Sequence, residues 1–192
     1  MTDDLTSTIP EAYSNILRET EMAGFTMASD IKTCSLLRTL AATKPNGAFL
    51  ELGTGTGLST AWILDGMNEN STLISIDNDE KFLEIASEYI ASDKRLTLIK
   101  EDGEVWLKDN AHQKFDYIFA DTWPGKYFLL EETISMLNQG GLYILDDMSP
   151  QPNWPVGHDL KAIELMERLA TIEGIYLTKQ LWATGIIVIA KR

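Results

Sequence analysis

The apolar positions change their period once along the chain. From Pro10 to Ala23 and from Ala28 to Thr43 they recur at helical spacing, and Pro45-Asn46-Gly47 closes the second stretch with breaker residues. After that, short apolar runs take over: Ala48 to Leu52, Thr72 to Ile76, Leu96 to Ile99, Tyr117 to Ala120 and Leu142 to Leu145. Amphipathic stretches, Asp79 to Ile90 and Tyr127 to Leu137 among them, separate the runs. Strand alternating with helix predicts an α/β fold with a mostly parallel sheet covered on both faces.

Near the C-terminus the rhythm breaks. A helical stretch from Asp159 to Ile172 precedes two apolar runs, Ile175 to Leu181 and Gly185 to Ala190, joined only by Trp182-Ala183-Thr184. A crossover helix needs a dozen or more residues, so these runs are expected to pair as an antiparallel hairpin. The prediction is a seven-stranded sheet, with residues 1–192 as one domain and residues 1–45 as N-terminal helices covering the site.

Composition narrows the partners. Sixteen Lys and Arg against 29 Asp and Glu leave a net charge of -13, which removes the attraction on which nucleic-acid binding rests. Nucleic acid is therefore not the expected partner. The single cysteine, Cys34, sits in a helical stretch and reads as packing. Met1-Thr2-Asp3-Asp4 shows no leader pattern and no run of eighteen apolar residues occurs, so the expectation is a cytoplasmic protein that does not enter the membrane.

The chemistry begins at Glu51-Leu52-Gly53-Thr54-Gly55-Thr56-Gly57-Leu58-Ser59, a strand running through a glycine turn into a helix. Such a turn brings backbone N–H groups close to a ligand. A dinucleotide fingerprint would place its third glycine where this chain has Leu58, which argues against NAD. Asp77 ends the next run, about twenty residues on, as a carboxylate that binds ribose hydroxyls should; Asn78 or Asp79 remains to cap the following helix. Glu101-Asp102-Gly103-Glu104 ends the third run.

This pattern resembles class I S-adenosylmethionine-dependent methyltransferases, with their Rossmann-like sheet and antiparallel last strand. The resemblance implies S-adenosylmethionine as cofactor. It implies a cofactor site of Glu51, Gly53, Thr54, Gly55, Gly57, Ser59, Asp77, Asn78, Asp102, Gly103 and Asp121.

Asp121 follows the fourth strand, and Asp146-Asp147 follow the fifth. Clustered carboxylates repel unless a positive group joins them, and a hard cation such as Mg2+ would do so. Here the chain is similar to the catechol and caffeoyl-CoA type O-methyltransferases, from Met27-Ala28 to Ala183-Thr184-Gly185-Ile186. The similarity implies that a small-molecule hydroxyl is methylated, and that Asp121, Asp146 and Asp147 are candidate ligands for Mg2+ or another divalent cation. The catechol enzymes carry a lysine three residues after the first metal Asp. That position is Pro124 here, and Lys126 follows as a base or as a partner for a carboxylate.

The proline-rich segment from Met148 to Asp159, with Trp154 and the base candidate His158, is expected to form a stiff wall over an apolar acceptor. Its bland reading is a connector with Asp159 as helix N-cap. Asp121, Lys126 and His158 are thus the candidate catalytic residues. A tRNA wobble-uridine O-methyltransferase and a non-catalytic cofactor-binding protein remain as alternatives. A homodimer is also open, with Ile16 and Leu17 as either interface or core.

Overall fold

The computed structural model describes residues 8–152 and 154–192. The reading of Met1 to Asp4, and Asn153 of the proline-rich segment, lie outside them.

Seven strands form one sheet: β1 (Ala48–Leu52), β2 (Thr72–Asp77), β3 (Leu96–Lys100), β4 (Phe115–Ala120), β5 (Leu137–Leu145), β6 (Ile175–Gln180) and β7 (Ile186–Lys191). Their order is β3-β2-β1-β4-β5-β7-β6, and β7 runs antiparallel to both neighbours. The expected hairpin and the mostly parallel sheet are both present.

Each central strand is apolar throughout because both of its faces are covered. Leu50, Leu52, Ile118, Ala120, Tyr143 and Leu145 point to one layer, and Phe49, Tyr117, Phe119 and Ile144 point to the other. The first layer is α5 (Gly103–Asp109), α6 (Leu130–Ser135) and α7 (His158–Thr171). The second is α1 (Tyr13–Ala23), α2 (Ile31–Ala41), α3 (Leu58–Gly66) and α4 (Glu80–Ile90). α3 is buried on every side from Leu58 to Leu64, which is why it shows no amphipathic stripe in the sequence. Ile16 and Cys34 are fully buried in this second layer, so both are core residues of the chain itself.

Two local expectations fail. The helix expected from Tyr127 to Leu137 shrinks to Leu130–Ser135. Ahead of it, residues 123–128 fold into a tight turn, with Tyr127 N–H donating to the Trp123 carbonyl at 2.8 Å and Leu129 at φ 55°. β5 then starts at Leu137, with a register shift against β4 before Leu142. Asp159 is not an N-cap either. Gly157 occupies that position at φ 83°, and His158 opens α7.

The connection from β3 to β4 crosses the sheet, so the chain reverses its order between β1 and β4. Ligands of open parallel sheets bind at such a switch point, beyond the carboxyl ends of the strands. All the candidate site residues except Glu51, which lies within β1, Ser59, in the first turn of α3, and His158, at the start of α7, sit in the segments that follow carboxyl ends of strands in this sheet.

Candidate active site

Three glycines at left-handed φ carry the turn after β1: Gly53 at 102°, Gly55 at 51° and Gly57 at 93°. Space as well as backbone demands glycine here. A Cβ on Gly53 would stand 2.6 Å from Thr122 Cγ2, and one on Gly57 would stand 3.0 Å from Ala86 Cβ. Asp77 ties the turn down. Its Oδ2 accepts from Gly55 N–H at 2.8 Å and its Oδ1 accepts from Asp79 N–H at 2.9 Å. Asp79 caps α4 through Lys81 N–H, leaving the remaining lone pairs of Asp77 to the cavity.

Glu51 lies beneath this turn and does not border the cavity. It is 0 % exposed, and its carboxylate accepts from Ser59, Thr60 and Ser75 hydroxyls at 2.6, 2.6 and 2.5 Å. Burial pushes it up to about 7, against the pull of those three hydroxyls. Thr54 continues the network to Ser75 at 2.6 Å. Glu51 therefore positions the turn from below, and its reading as a direct cofactor contact does not match its place.

The turn, Asp77 and Asn78 open onto a cavity of about 520 Å3, within the size range of small-molecule sites. Phe25 closes its near side against Gly55 and packs on Phe82, with ring centroids 4.4 Å apart and planes tilted by 45°. A smaller recess of about 90 Å3 adjoins Asp77 and is bordered by Asp102, Gly103 and Pro124. Asp102 caps α5 through Glu104 and Val105 N–H, and a Cβ on Gly103 would come within 3.2 Å of Pro124 Cβ.

Asp121, Lys126, Asp147 and His158 border the far end of the larger cavity; Asp146 does not. Asp121 accepts from Ser29 Oγ at 3.0 Å, and Lys126 Nζ stands 3.7 Å from Asp121 Oδ1. Lys126 is only 4 % exposed and donates to the Asp146 carbonyl at 3.0 Å. The two aspartates after β5 diverge because Asp147 adopts φ 55°. Asp146 turns inward, where Thr184 Oγ1 and Asp147 N–H both donate to its Oδ1 and its Oδ2 is buried without a partner. Burial, and then the charge of Asp121, pushes Asp146 up to about 7 and Asp147 up to about 6.

His158 sits within an aromatic wall. Its ring centroid lies 4.5 Å from Trp154, 5.8 Å from Trp123 and 5.2 Å from Tyr127, whose hydroxyl meets His158 Nε2 at 3.0 Å. Burial, then Lys126 and Lys161, holds the imidazole below its ordinary value. Tyr127 is pushed up to about 12, chiefly by burial, so it is the natural donor in that pair.

The donor set does not suit a divalent ion. Among the described residues no group of three His, Cys, Asp or Glu side chains is disposed to hold a metal. Asp146 lies outside the cavity lining, with its Oδ1 taken by Thr184 and by Asp147 N–H.

Ser29, Phe25, Tyr127 and Thr184 were not singled out from the sequence as site residues. Ser29 and Phe25 come from the N-terminal segment, and no spacing rule links them to a strand end. Thr184 lies in the short link of the hairpin, where Thr184 and Gly185 carbonyls hold Ser149 and Met148 N–H at 2.9 Å each.

A glycine turn anchored by an aspartate at the next strand, in a sheet whose last strand is antiparallel, defines a Rossmann-like methyltransferase. The methyltransferase-domain family matches residues 50–148, and the chain belongs to that family. It is 28% identical over 116 residues to a Mycobacterium avium protein named "Putative O-methyltransferase", covering 58% of this chain and 52% of that one. A counterpart of the same name in Mycolicibacterium vanbaalenii is 31% identical over 116 residues, 58% of this chain and 51% of that one. The chain thus spans about half the length of the curated relatives it matches. The fold is similar to that of the O-methyltransferase TomG from Streptomyces achromogenes, solved with S-adenosylmethionine (TM-score 0.83, 19% identity, 97% and 92% of the two chains). It is also similar to that of an O-methyltransferase from Bacillus cereus, solved with S-adenosylhomocysteine (TM-score 0.82, 18% identity, 98% and 94%).

Proposed function

We propose that the protein transfers the methyl group of S-adenosylmethionine to a hydroxyl of a small, flat acceptor, acting in the cytoplasm. One observation carries this reading: the Asp77-anchored glycine turn and the Asp121–Lys126–Asp147 group border the same cavity. The names of the relatives and of the two solved O-methyltransferases support it.

In this reading the ribose hydroxyls donate to Asp77, adenine lies toward the recess at Asp102 and Gly103, and the methionine end meets the turn at Gly53 and Gly55. The sulfonium methyl then faces the carboxylate end of the cavity. Trp123, Tyr127 and Trp154 offer flat apolar faces that align an acceptor for in-line attack. Asp147 borders the cavity and, at about 6, is suited to take the hydroxyl proton near neutral pH. His158, one of the base candidates from the sequence, shares the Tyr127 hydroxyl through Nε2 and has its Nδ1 buried, so its part is to hold Tyr127 at the wall. The net charge of -13 counts against an RNA acceptor. Homodimer formation stays open, without Ile16 as a contact, because its side chain is spent in the core.

Incubation with S-[methyl-D3]-adenosylmethionine and a panel of catechols, phenols, aliphatic alcohols and amines, read by mass spectrometry beside a cofactor-binding titration, tests the reading. Label on an oxygen of an aromatic acceptor is the expected result. Absence of cofactor binding, or label on nitrogen acceptors alone, would refute it.

A further inference from the structure

We infer that the cation at the acceptor end of the cavity is the ammonium of Lys126, serving in place of a divalent metal and binding the acceptor oxygen as that oxygen loses its proton. The inference deepens the proposed methyl transfer and rests on it.

The backbone is shaped to deliver this lysine. Gly125 at φ 86° leaves no room for a side chain, since a Cβ would stand 2.7 Å from both Leu52 Cδ1 and Tyr143 Oη. Tyr143 Oη also donates to the Gly125 carbonyl at 2.6 Å, pinning the turn from within the core. The next residue, Lys126, is thereby buried and directed to the cavity.

Its ammonium has three N–H donors. One is spent on the Asp146 carbonyl at 3.0 Å, and Asp121 Oδ1 at 3.7 Å lies beyond hydrogen-bond distance. Donor capacity therefore remains on the cavity side. The carboxylates are arranged around this charge. Asp121 and Asp147 border the cavity with it, whereas Asp146 is turned away and held by Thr184. Of the three expected carboxylate ligands only Asp121 and Asp147 line the cavity, and among the described residues no three such side chains are grouped to hold a metal.

The step balances without a metal. The acceptor oxygen forms its bond to the methyl carbon as the carbon–sulfur bond breaks, and that electron pair stays on sulfur as the cofactor becomes neutral S-adenosylhomocysteine. The hydroxyl proton passes to the Asp147 carboxylate. Lys126 keeps its three protons and lends one hydrogen bond to the developing oxyanion.

Mn2+ titration of the purified wild-type protein, followed by the electron-paramagnetic resonance signal of free Mn2+, tests this without turnover. The expected result is no binding tighter than about 100 µM, the tight edge of the weakest protein sites for hard cations. Binding tighter than about 100 µM that Asp147→Asn abolishes would overturn the inference, because the ion would then share the site. With an acceptor found for the wild type, transfer should persist in excess EDTA and fall about a hundredfold in Lys126→Met, which keeps the side-chain volume; stabilisation of a developing oxyanion is of that order. Circular dichroism and cofactor affinity report whether that variant is folded, and Lys126→Arg should recover part of the rate. An unchanged rate in folded Lys126→Met, or its loss in EDTA, would also overturn the inference. If no acceptor is methylated at all, the proposed function has failed and the role of Lys126 in transfer falls with it, whereas tight Mn2+ binding beside active transfer overturns the inference alone.

Discussion

The two ends of the cavity are built differently. At the cofactor end, Glu51 is satisfied by three hydroxyls and each oxygen of Asp77 already accepts a backbone N–H. At the acceptor end, Asp146 Oδ2 and His158 Nδ1 are two of the three buried side-chain polar atoms without a partner among the described residues. Unmet polar groups and like charges cost free energy. A ligand that never varies suits a site finished in advance, whereas the acceptor end leaves Asp121, Lys126 and Asp147 facing the cavity above those buried, unmet groups. In the proposed reading the cofactor end is a preformed receptor, and the acceptor end is where charge is kept for chemistry.

The largest test of that contrast is Asp147→Asn. Loss of the proton acceptor should lower kcat by roughly a thousandfold with cofactor affinity unchanged, as general-base removal does. In the wild type the rate should fall as pH drops through about 6, because Asp147 must be ionised to take a proton and burial has raised it to that value. A steady-state pH profile reads both effects, and an acid limb that persists unchanged in Asp147→Asn would assign the base elsewhere.

Asp77→Ala comes next. It removes the ribose acceptor together with the tether on Gly55, so calorimetric affinity for S-adenosylmethionine should drop about a hundredfold, or about 2.8 kcal/mol, while circular dichroism stays the same. Gly53→Ala should cost about 1–3 kcal/mol of stability in thermal unfolding, through backbone strain at φ 102° and the clash with Thr122. Trp154→Ala should have the smallest effect, roughly a fivefold rise in the acceptor KM, consistent with about 1 kcal/mol for a lost aromatic contact, and no change in cofactor affinity. An equal loss of cofactor binding in Trp154→Ala would mean that the two ends are not separable.

The same contrast governs how much could be read from the sequence. The proposed cofactor end is contiguous: one strand, its glycine turn and the next strand make it up, so period, glycine spacing and Asp77 point to it within a short stretch of sequence. β1 begins and ends where its apolar run does. The acceptor end is assembled from residues 29, 121–127, 146–147, 154–158 and 184, which only the folded sheet brings together. Its local rules also mislead. Tyr127 to Leu137 has helical periodicity, yet burying Lys126 at the cost of a tight turn overrides it. Glu51, adjoining the glycine motif, is read from sequence as a ligand contact and proves to be the buried support of the turn. Asp146 and Asp147 are adjacent in sequence, yet the left-handed φ of Asp147 sends them to different environments.

Calorimetric titration of the cofactor-stripped protein with S-adenosylmethionine tests the central claim most directly, with Asp77→Ala run alongside. Micromolar binding by the wild type that is severely weakened in the variant is the predicted result. No binding by a folded wild-type protein, or equal binding by both, would contradict the assignment of the glycine turn and Asp77 as the cofactor site.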